Sequence, residues 1–455
     1  MARVQVLTGD AARSPHLPGG APFAPAAPSA TVDVQPLGVF AYPAGLMVIT
    51  GDEFASLRTS LAAGRRPASW PPELAGIGAA YDGRLDEATE LLTARARMTD
   101  HPIDWCNLAT IAPERVNLDA LLARIDPRWR GHAQLVLAHL GRGEVPDPDL
   151  ASPPEVRALI RAAQAGYAEA PERRRELLDV AIIEAADAPA LRALCLAARA
   201  EALRELGRGP EAITDLREAL RLLADADLPT ARAELHLALG QVLHEHAVDT
   251  GTAMNDAAAE FQSCLQVVDP DDAPLVWAAA HRDLAAVYLT MPLTSASDQL
   301  RVAVATQSLR KALAVYTRDE HPEQWAATSV NLANALVYAP SAHQEQNLME
   351  AVQLYADVLA ERDPARDPAG YARVLANQGN ALAHLGMFPE ATAALHEARF
   401  LFEDLGADEM VRSVRGVLDE IARARTRNAP DPDDPDPGDL DVGDLDPEEA
   451  DDGQP

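Results

Sequence analysis

Small and apolar residues alternate with polar ones at intervals of three and four along most of this chain, which is the period of an amphipathic helix. The pattern is clearest from Leu375 to Phe402. Gly379 and Leu382 share one helical face, Pro389-Glu-Ala391 opens a second helix, and Leu395 and Ala398 continue its inner face. Small residues are needed at Gly379, Ala391 and Ala398 because two helices of a hairpin cross there, while leucines fill the remaining space.

The same frame recurs four times upstream. Its copies are Ala200, Leu203, Ala212, Leu216 and Ala219; Gly240, Leu243, Ala257, Phe261 and Cys264; Ala285, Tyr288, Ala305, Leu309 and Ala312; and Ala333, Leu336, Ala351, Tyr355 and Val358. The anchors at 200, 240, 285, 333 and 379 are 40, 45, 48 and 46 residues apart. Trp277, Trp325 and Tyr371 each stand eight residues before an anchor, so an independent feature keeps the same phase. Ala333 and Ala351 are eighteen residues apart where the first and last copies have a spacing of twelve, which predicts a protruding loop, Tyr338 to Gln346. Two weaker units, near Ala75 to Leu92 with Asp86-Glu-Ala88 and near Ile160 to Ile182, begin the array without a clear frame.

The ends read differently. Residues 1–30 are rich in Ala, Pro and Gly and bury too little to offset ordering entropy, so they are expected to be a disordered leader. From Val32 to Thr50 a β-branched, Pro-interrupted stretch predicts a short hairpin, and Thr50-Gly-Asp-Glu53 resembles a capping box that opens a helix. Residues 426–455 alternate Pro with acid and predict a disordered, extended tail. The expected organisation is a leader (1–30), an N-terminal module (31–154), a helical array (155–425) and the tail.

The repeat frame resembles that of tetratricopeptide proteins. The last three copies, with Arg318-Asp-Glu-His-Pro-Glu-Gln-Trp325, Asn331-Leu-Ala-Asn-Ala-Leu336 and Asn347-Leu-Met-Glu-Ala351, are similar to the long-loop repeats that accompany CHAT domains, the caspase-like bacterial peptidases. What the resemblance implies is an all-α, right-handed superhelical solenoid of antiparallel helix pairs that binds proteins or peptides. It carries over no peptidase activity, because the chain has no strand-rich segment able to hold a His and Cys pair.

Charge narrows the partners. The formal charge is −31, and residues 429–455 carry twelve acids with no cation, which leaves −19 for the rest. Phosphate neutralisation needs clustered cations, so nucleic acid and anionic membrane are not expected partners. Lys311 is the only lysine, a bias that fits a GC-rich bacterial genome. Hydrophobic residues make up 48% and aromatic ones only 4%, so the core is built from small side chains that let helices approach closely. Cys106, Cys195 and Cys264 are few, odd in number and far apart, which fits reduced thiols in a cytoplasm and no zinc motif. No export signal or membrane span is read in the sequence.

In tetratricopeptide proteins the first helix of each pair lines a concave groove, and the positions two before and one after the anchor are expected to face it. Here they hold Asn331 and Asn334 in one copy and Asn377 and Asn380 in the next. Asparagine is a mediocre helix former, whereas its amide both donates and accepts, so it can clamp the peptide bond of an extended ligand. Arg282 and Arg373 reach toward the same groove as candidate carboxylate ligands, and Gln241 and His384 complete the set. The alternative role for these asparagines is to bond to one another and fix repeat stacking. His236, His244, Glu245 and His246 suggest no metal site, since His244 and His246 point to nearly opposite helix faces. With no phosphate loop, nucleophile elbow or His–carboxylate signature, the sequence predicts neither catalysis nor a cofactor. It predicts a protein- or peptide-binding adaptor, or alternatively a maturation chaperone for an enzyme encoded nearby.

Overall fold

The computed structural model describes residues 40, 43–149, 153–250, 254–291, 296–338 and 343–427. The leader and nearly all of the acidic tail lie outside them. The described residues contain nineteen α-helices and no strand. They divide into two compact units, one ending at Asn347 and the other starting at Leu348.

The first unit begins with α1 (Ala55–Ala62), α2 (Ala75–Tyr81), α3 (Leu85–Thr99), α4 (Pro102–Ala109), α5 (Leu118–Arg124) and α6 (Pro127–His139). The array follows as α7 (Pro154–Tyr167), α8 (Pro171–Glu184), α9 (Pro189–Glu205), α10 (Gly209–Leu222), α11 (Pro229–Thr250), α12 (Asn255–Val267), α13 (Pro274–Thr290), α14 (Ala296–Val315) and α15 (Pro322–Tyr338). Helix α16 (Gln344–Glu361) carries the chain into the second unit, which holds α17 (Pro368–His384), α18 (Phe388–Asp404) and α19 (Asp408–Arg427).

Proline explains many of the starts. It stands first in α7, α9, α11, α13, α15 and α17, where its missing N–H has no partner to lose and its φ is already helical. The stop of α17 is equally local: Gly386 takes φ +77°, its N–H bonds to Ala383 O, and Met387 N–H returns to Leu382 O, so the chain reverses within four residues.

Every helix from α7 to α14 packs on the next, and α7 with α9, α11 with α13 and α13 with α15 also touch. First helices therefore form one layer of the unit and second helices another, the tetratricopeptide-like arrangement that the small-residue frame predicts. The anchors Ala200, Ala285 and Ala333 are fully or almost fully buried, as are Ala212, Ala219, Ala305, Ala312 and Ala351. In the second unit the crossing is tight enough to require glycine, since a β-carbon on Gly379 would stand 2.7 Å from Leu395 Cγ. Trp325 at the start of α15 packs on the buried cluster of Ala278, Ala312 and Tyr316, so the phased aromatic seals the preceding pair. Tyr371 plays the corresponding part in the core of the second unit, which α19 closes with Val411, Val414, Val417 and Ile421.

Several features sharpen or depart from the sequence reading. The ambiguous first unit has its frame at Gly76, whose missing side chain makes room for Leu92, with Ala88 buried beside it. The expected hairpin is not formed by the described part of Val32–Thr50. Ala44–Leu46 make one 3₁₀ turn, Met47 is extended, and Met47–Thr50 form no strand, the backbone of Val48 bonding to the side chain of Asn107 instead. Thr50 is no cap either, since Gly51 precedes a 3₁₀ turn, Asp52–Phe54, that leads into α1 without any side-chain cap. Finally, one apolar core runs from Phe40 to Val242, across the expected module boundary at 154, and α19 extends through Arg427, past the expected start of the tail. The loop Tyr338–Gln346 lies partly outside the described residues.

Candidate functional site

The face built by the first helices is polar at repeating phase. Gln241 stands one residue after its anchor on α11, and Asp283 two before its anchor on α13. Gln241 Nε2 donates to Asp283 Oδ2 at 2.8 Å, so these two positions meet between neighbouring first helices. Arg282 Nε donates to Asp283 Oδ1 at 2.7 Å, and Arg282 is only 9% exposed. Burial works against its charge, but the Asp283 carboxylate more than offsets this and raises its pKa. The carboxylate that Arg282 was expected to take from a ligand is thus supplied in part by its own chain.

The polar line continues toward α9. Arg204 Nη1 reaches Glu245 Oε1 on α11 at 2.9 Å, and its Nη2 bonds to Glu201 at 2.6 Å. Glu201 follows anchor Ala200 by one residue, the phase that Gln241 holds in the next copy. Asp283 and Glu201 were not singled out from sequence, and Glu245 was weighed there only as a metal ligand. Asp283 had a visible signal, because it shares the phase of Asn331 and Asn377.

Asn331 and Asn334 lie half-buried on α15 of the first unit. On α17 of the second unit Asn377 is buried, Arg373 and Asn380 are half-buried, and His384 is exposed at the helix end. Asn334, Asn377, Asn380, Arg373 and His384 all take part in interactions within the fold. Each therefore has only part of its hydrogen-bonding capacity left for a ligand. Gln241 and Arg282 are the pair brought together, through Asp283.

The other candidate groups have structural partners. His236 Nδ1 lies 2.7 Å from Glu260 Oε2 on α12, which ties the two helices of one pair. His244 is half-buried, and desolvation lowers its pKa. All three cysteines are buried and free, and burial pushes each thiol up to about 12, far from the thiolate range a nucleophile needs. Among the described residues no three His, Cys, Asp or Glu side chains could together hold a metal ion. None of the described helices is long and apolar enough to cross a membrane.

A second polar device was missed entirely. Asn107 on α4 is 1% exposed, its Nδ2 donates to Val48 O at 2.8 Å, and its Oδ1 accepts from Val48 N at 2.8 Å. One carboxamide thus closes both backbone bonds of an extended residue. The sequence offered only a weak hint, a single Asn in the apolar stretch Pro102-Ile-Asp-Trp-Cys-Asn-Leu-Ala109.

No protein-family model and no curated protein matches the chain. Among solved structures, the apo form of RapI aligns over 78% of this chain and 98% of its own, with 12% identity and a TM-score of 0.38. The tetratricopeptide domain of P58(IPK) aligns over 79% and 99%, with 14% identity and a TM-score of 0.26.

Proposed function

We propose that this protein is a non-catalytic adaptor that binds an extended segment of another protein along the layer of first helices. The observation that carries the reading is the Gln241–Asp283 hydrogen bond. It supports a continuous polar face at the phase that also holds Asn331 and Asn334, whereas apolar side chains would suffice if that face only packed against a neighbour. The Asn107 clamp on Val48 supports the chemistry, because it is an instance in this chain of a helical carboxamide gripping an extended backbone. The groove set remains Gln241, Arg282, Asn331 and Asn334 in the first unit and Arg373, Asn377, Asn380 and His384 in the second, each unit reading its own stretch of ligand. A reducing cytoplasm is the proposed setting, in keeping with three unpaired buried thiols.

Affinity capture from the protein's own host, quantified by mass spectrometry, tests the proposal. Changing Asn334 and Asn380 together to Ala removes ligand hydrogen bonds worth about 1 to 3 kcal/mol each, a loss of about five- to 150-fold in affinity per contact. The captured partner should be depleted while helicity by circular dichroism is kept. A variant that melts early yet captures the same partner makes these residues stacking groups and overturns the reading. An adaptor stays in the purified complex at fixed stoichiometry, and a maturation chaperone is absent from the finished product.

A further inference from the structure

Helix α4, the 3₁₀ turn Pro113–Arg115 and α5 line a cavity of about 290 Å³ in the first unit. Pro102 and Trp105 of α4, Val116 after the turn and Leu121 of α5 supply its apolar wall. Leu121 is buried, and Trp105 and Val116 pack on the same core, so the wall is fixed by the fold. None of these residues belongs to the polar line of α9 to α13.

The polar part of the lining is Arg115, Asn117 and Arg124, with no carboxylate among them, in a chain that has 70 acids and 39 bases. Groups outside the lining hold these side chains in place. Arg115 Nη1 donates to Glu90 Oε1 at 2.9 Å and to Thr93 Oγ1 at 3.3 Å, both on α3. Arg124 Nη2 donates to Asp100 Oδ2 at 2.9 Å and to Asp100 O at 3.0 Å, and its Nη1 donates to Oδ1 at 3.2 Å. Asp100 Oδ1 also accepts from Trp105 Nε1 at 3.1 Å, so one carboxylate orients both the indole wall and a guanidinium. Asp100 takes φ +47°, the left-handed region, and is the only non-glycine among the described residues to do so. Such a conformation persists where the surroundings over-determine it.

The donors that remain point to an anion. Arg115 Nε and Nη2, Arg124 Nε and Asn117 Nδ2 make no hydrogen bond among the described residues, because Asn117 uses its Oδ1 on the Ala120 N–H. A carboxylate accepts from guanidinium and amide donors with both of its oxygens. The flat indole and its aliphatic neighbours suit an aromatic ring. At 290 Å³ the cavity stands at the small end of ligand pockets, which start near about 300 Å³, so one ring and one acid group fill it.

We infer that this cavity binds a small aromatic carboxylate, its ring on Trp105, Val116 and Leu121 and its acid group on the free donors of Arg115, Asn117 and Arg124. The site is separate from the groove of the proposed function. Its failure leaves that proposal untouched.

The test uses the full chain at neutral pH with phenylacetate as the probe, followed by saturation-transfer NMR and titration. Binding should saturate with a Kd of about 1 mM or tighter, the range open to a ligand of about ten non-hydrogen atoms. Phenylacetamide keeps the shape without the charge and should bind at least about tenfold more weakly. Asn117→Asp is the sharpest variant. Aspartate caps α5 as well as asparagine does, so helicity and Tm should be kept, while the added negative charge abolishes binding. Arg115→Gln removes only an exposed pair with Glu90 from the fold, yet it should weaken phenylacetate by about ten- to 150-fold.

Absence of saturable phenylacetate binding overturns the inference, as does equal binding of the amide or unchanged binding by a folded Asn117→Asp chain. An acetylated tripeptide ending in phenylalanine with a free carboxylate separates the two sources of this chemistry. It should bind no more tightly than phenylacetate. Tighter binding would assign the cavity to the C-terminus of a protein and overturn the small-ligand site.

Discussion

Two regions of the first unit treat their first-layer helices in opposite ways. In α2 to α6 the face is apolar and buried together with the chain's own Phe40, Ala44 and Leu46–Ile49, with one carboxamide, Asn107, closing the backbone bonds of Val48. In α9 to α13 the corresponding helices carry Glu201 and Arg204, paired within α9, and Arg204 bonds on to Glu245 of α11 as Gln241 of α11 bonds to Asp283 of α13. The difference shows how one repeat frame supports two kinds of surface. The anchors set how closely helices approach, and the residues at the neighbouring phases decide whether the face is filled from within or left polar.

The comparison predicts unequal sensitivity to mutation. Asn107→Ala should be the most damaging change, because it leaves the buried N–H and C=O of Val48 unpaired and opens a small cavity, for a loss of about 2 to 4 kcal/mol in denaturant unfolding. A loss below about 1 kcal/mol would show that water or a shifted backbone replaces the clamp.

Acid should probe the same region slightly less strongly. Burial pushes His132 down to about 4, against an ordinary value of 6.5. A base with a depressed folded pKa is fully accommodated above its unfolded pKa, so stability is complete above about pH 6.5 and falls as pH drops toward 4, by up to about 3 kcal/mol. His132→Phe should flatten the unfolding midpoint over that window relative to the parent chain. An unchanged slope would place the sensitivity elsewhere, with His281 the next group to test, since burial also lowers it to about 4 and Lys311 adds to the effect.

The smallest effect belongs to the polar face. Gln241→Ala deletes one partly buried hydrogen bond to Asp283, a loss of less than about 1 kcal/mol by thermal or urea unfolding, while partner capture should fall measurably. If stability drops as much as for Asn107→Ala, the two faces are alike and the contrast between them collapses.

The array was legible from sequence because its information is local and repeated. Ala200, Ala212, Leu216 and Ala219 declare a helix crossing through size alone, and the same spacing at Gly379, Ala391, Leu395 and Ala398 confirms the frame without any knowledge of partners in space. Proline at helix starts and glycine at a positive-φ turn act within a few residues, so they too can be read from the chain. Gly76 escaped although Ala88 and Leu92 follow it at the same twelve and sixteen residues, because α2 is only seven residues long and shows too little of the helical period.

What only the tertiary structure decided involves partners far apart in the chain. Val48 and Asn107 are 59 residues apart, Arg66 and Asp227 161, and Gln241 and Asp283 42. The β-branched stretch before Thr50 predicted a strand because periodicity registers an extended, buried backbone but not what satisfies its hydrogen bonds. A side-chain amide did so in place of a second strand. The polar face was visible as a phase, and its internal pairing was not, because a carboxylate two residues before one anchor finds its amide one residue after another only once the helices have stacked.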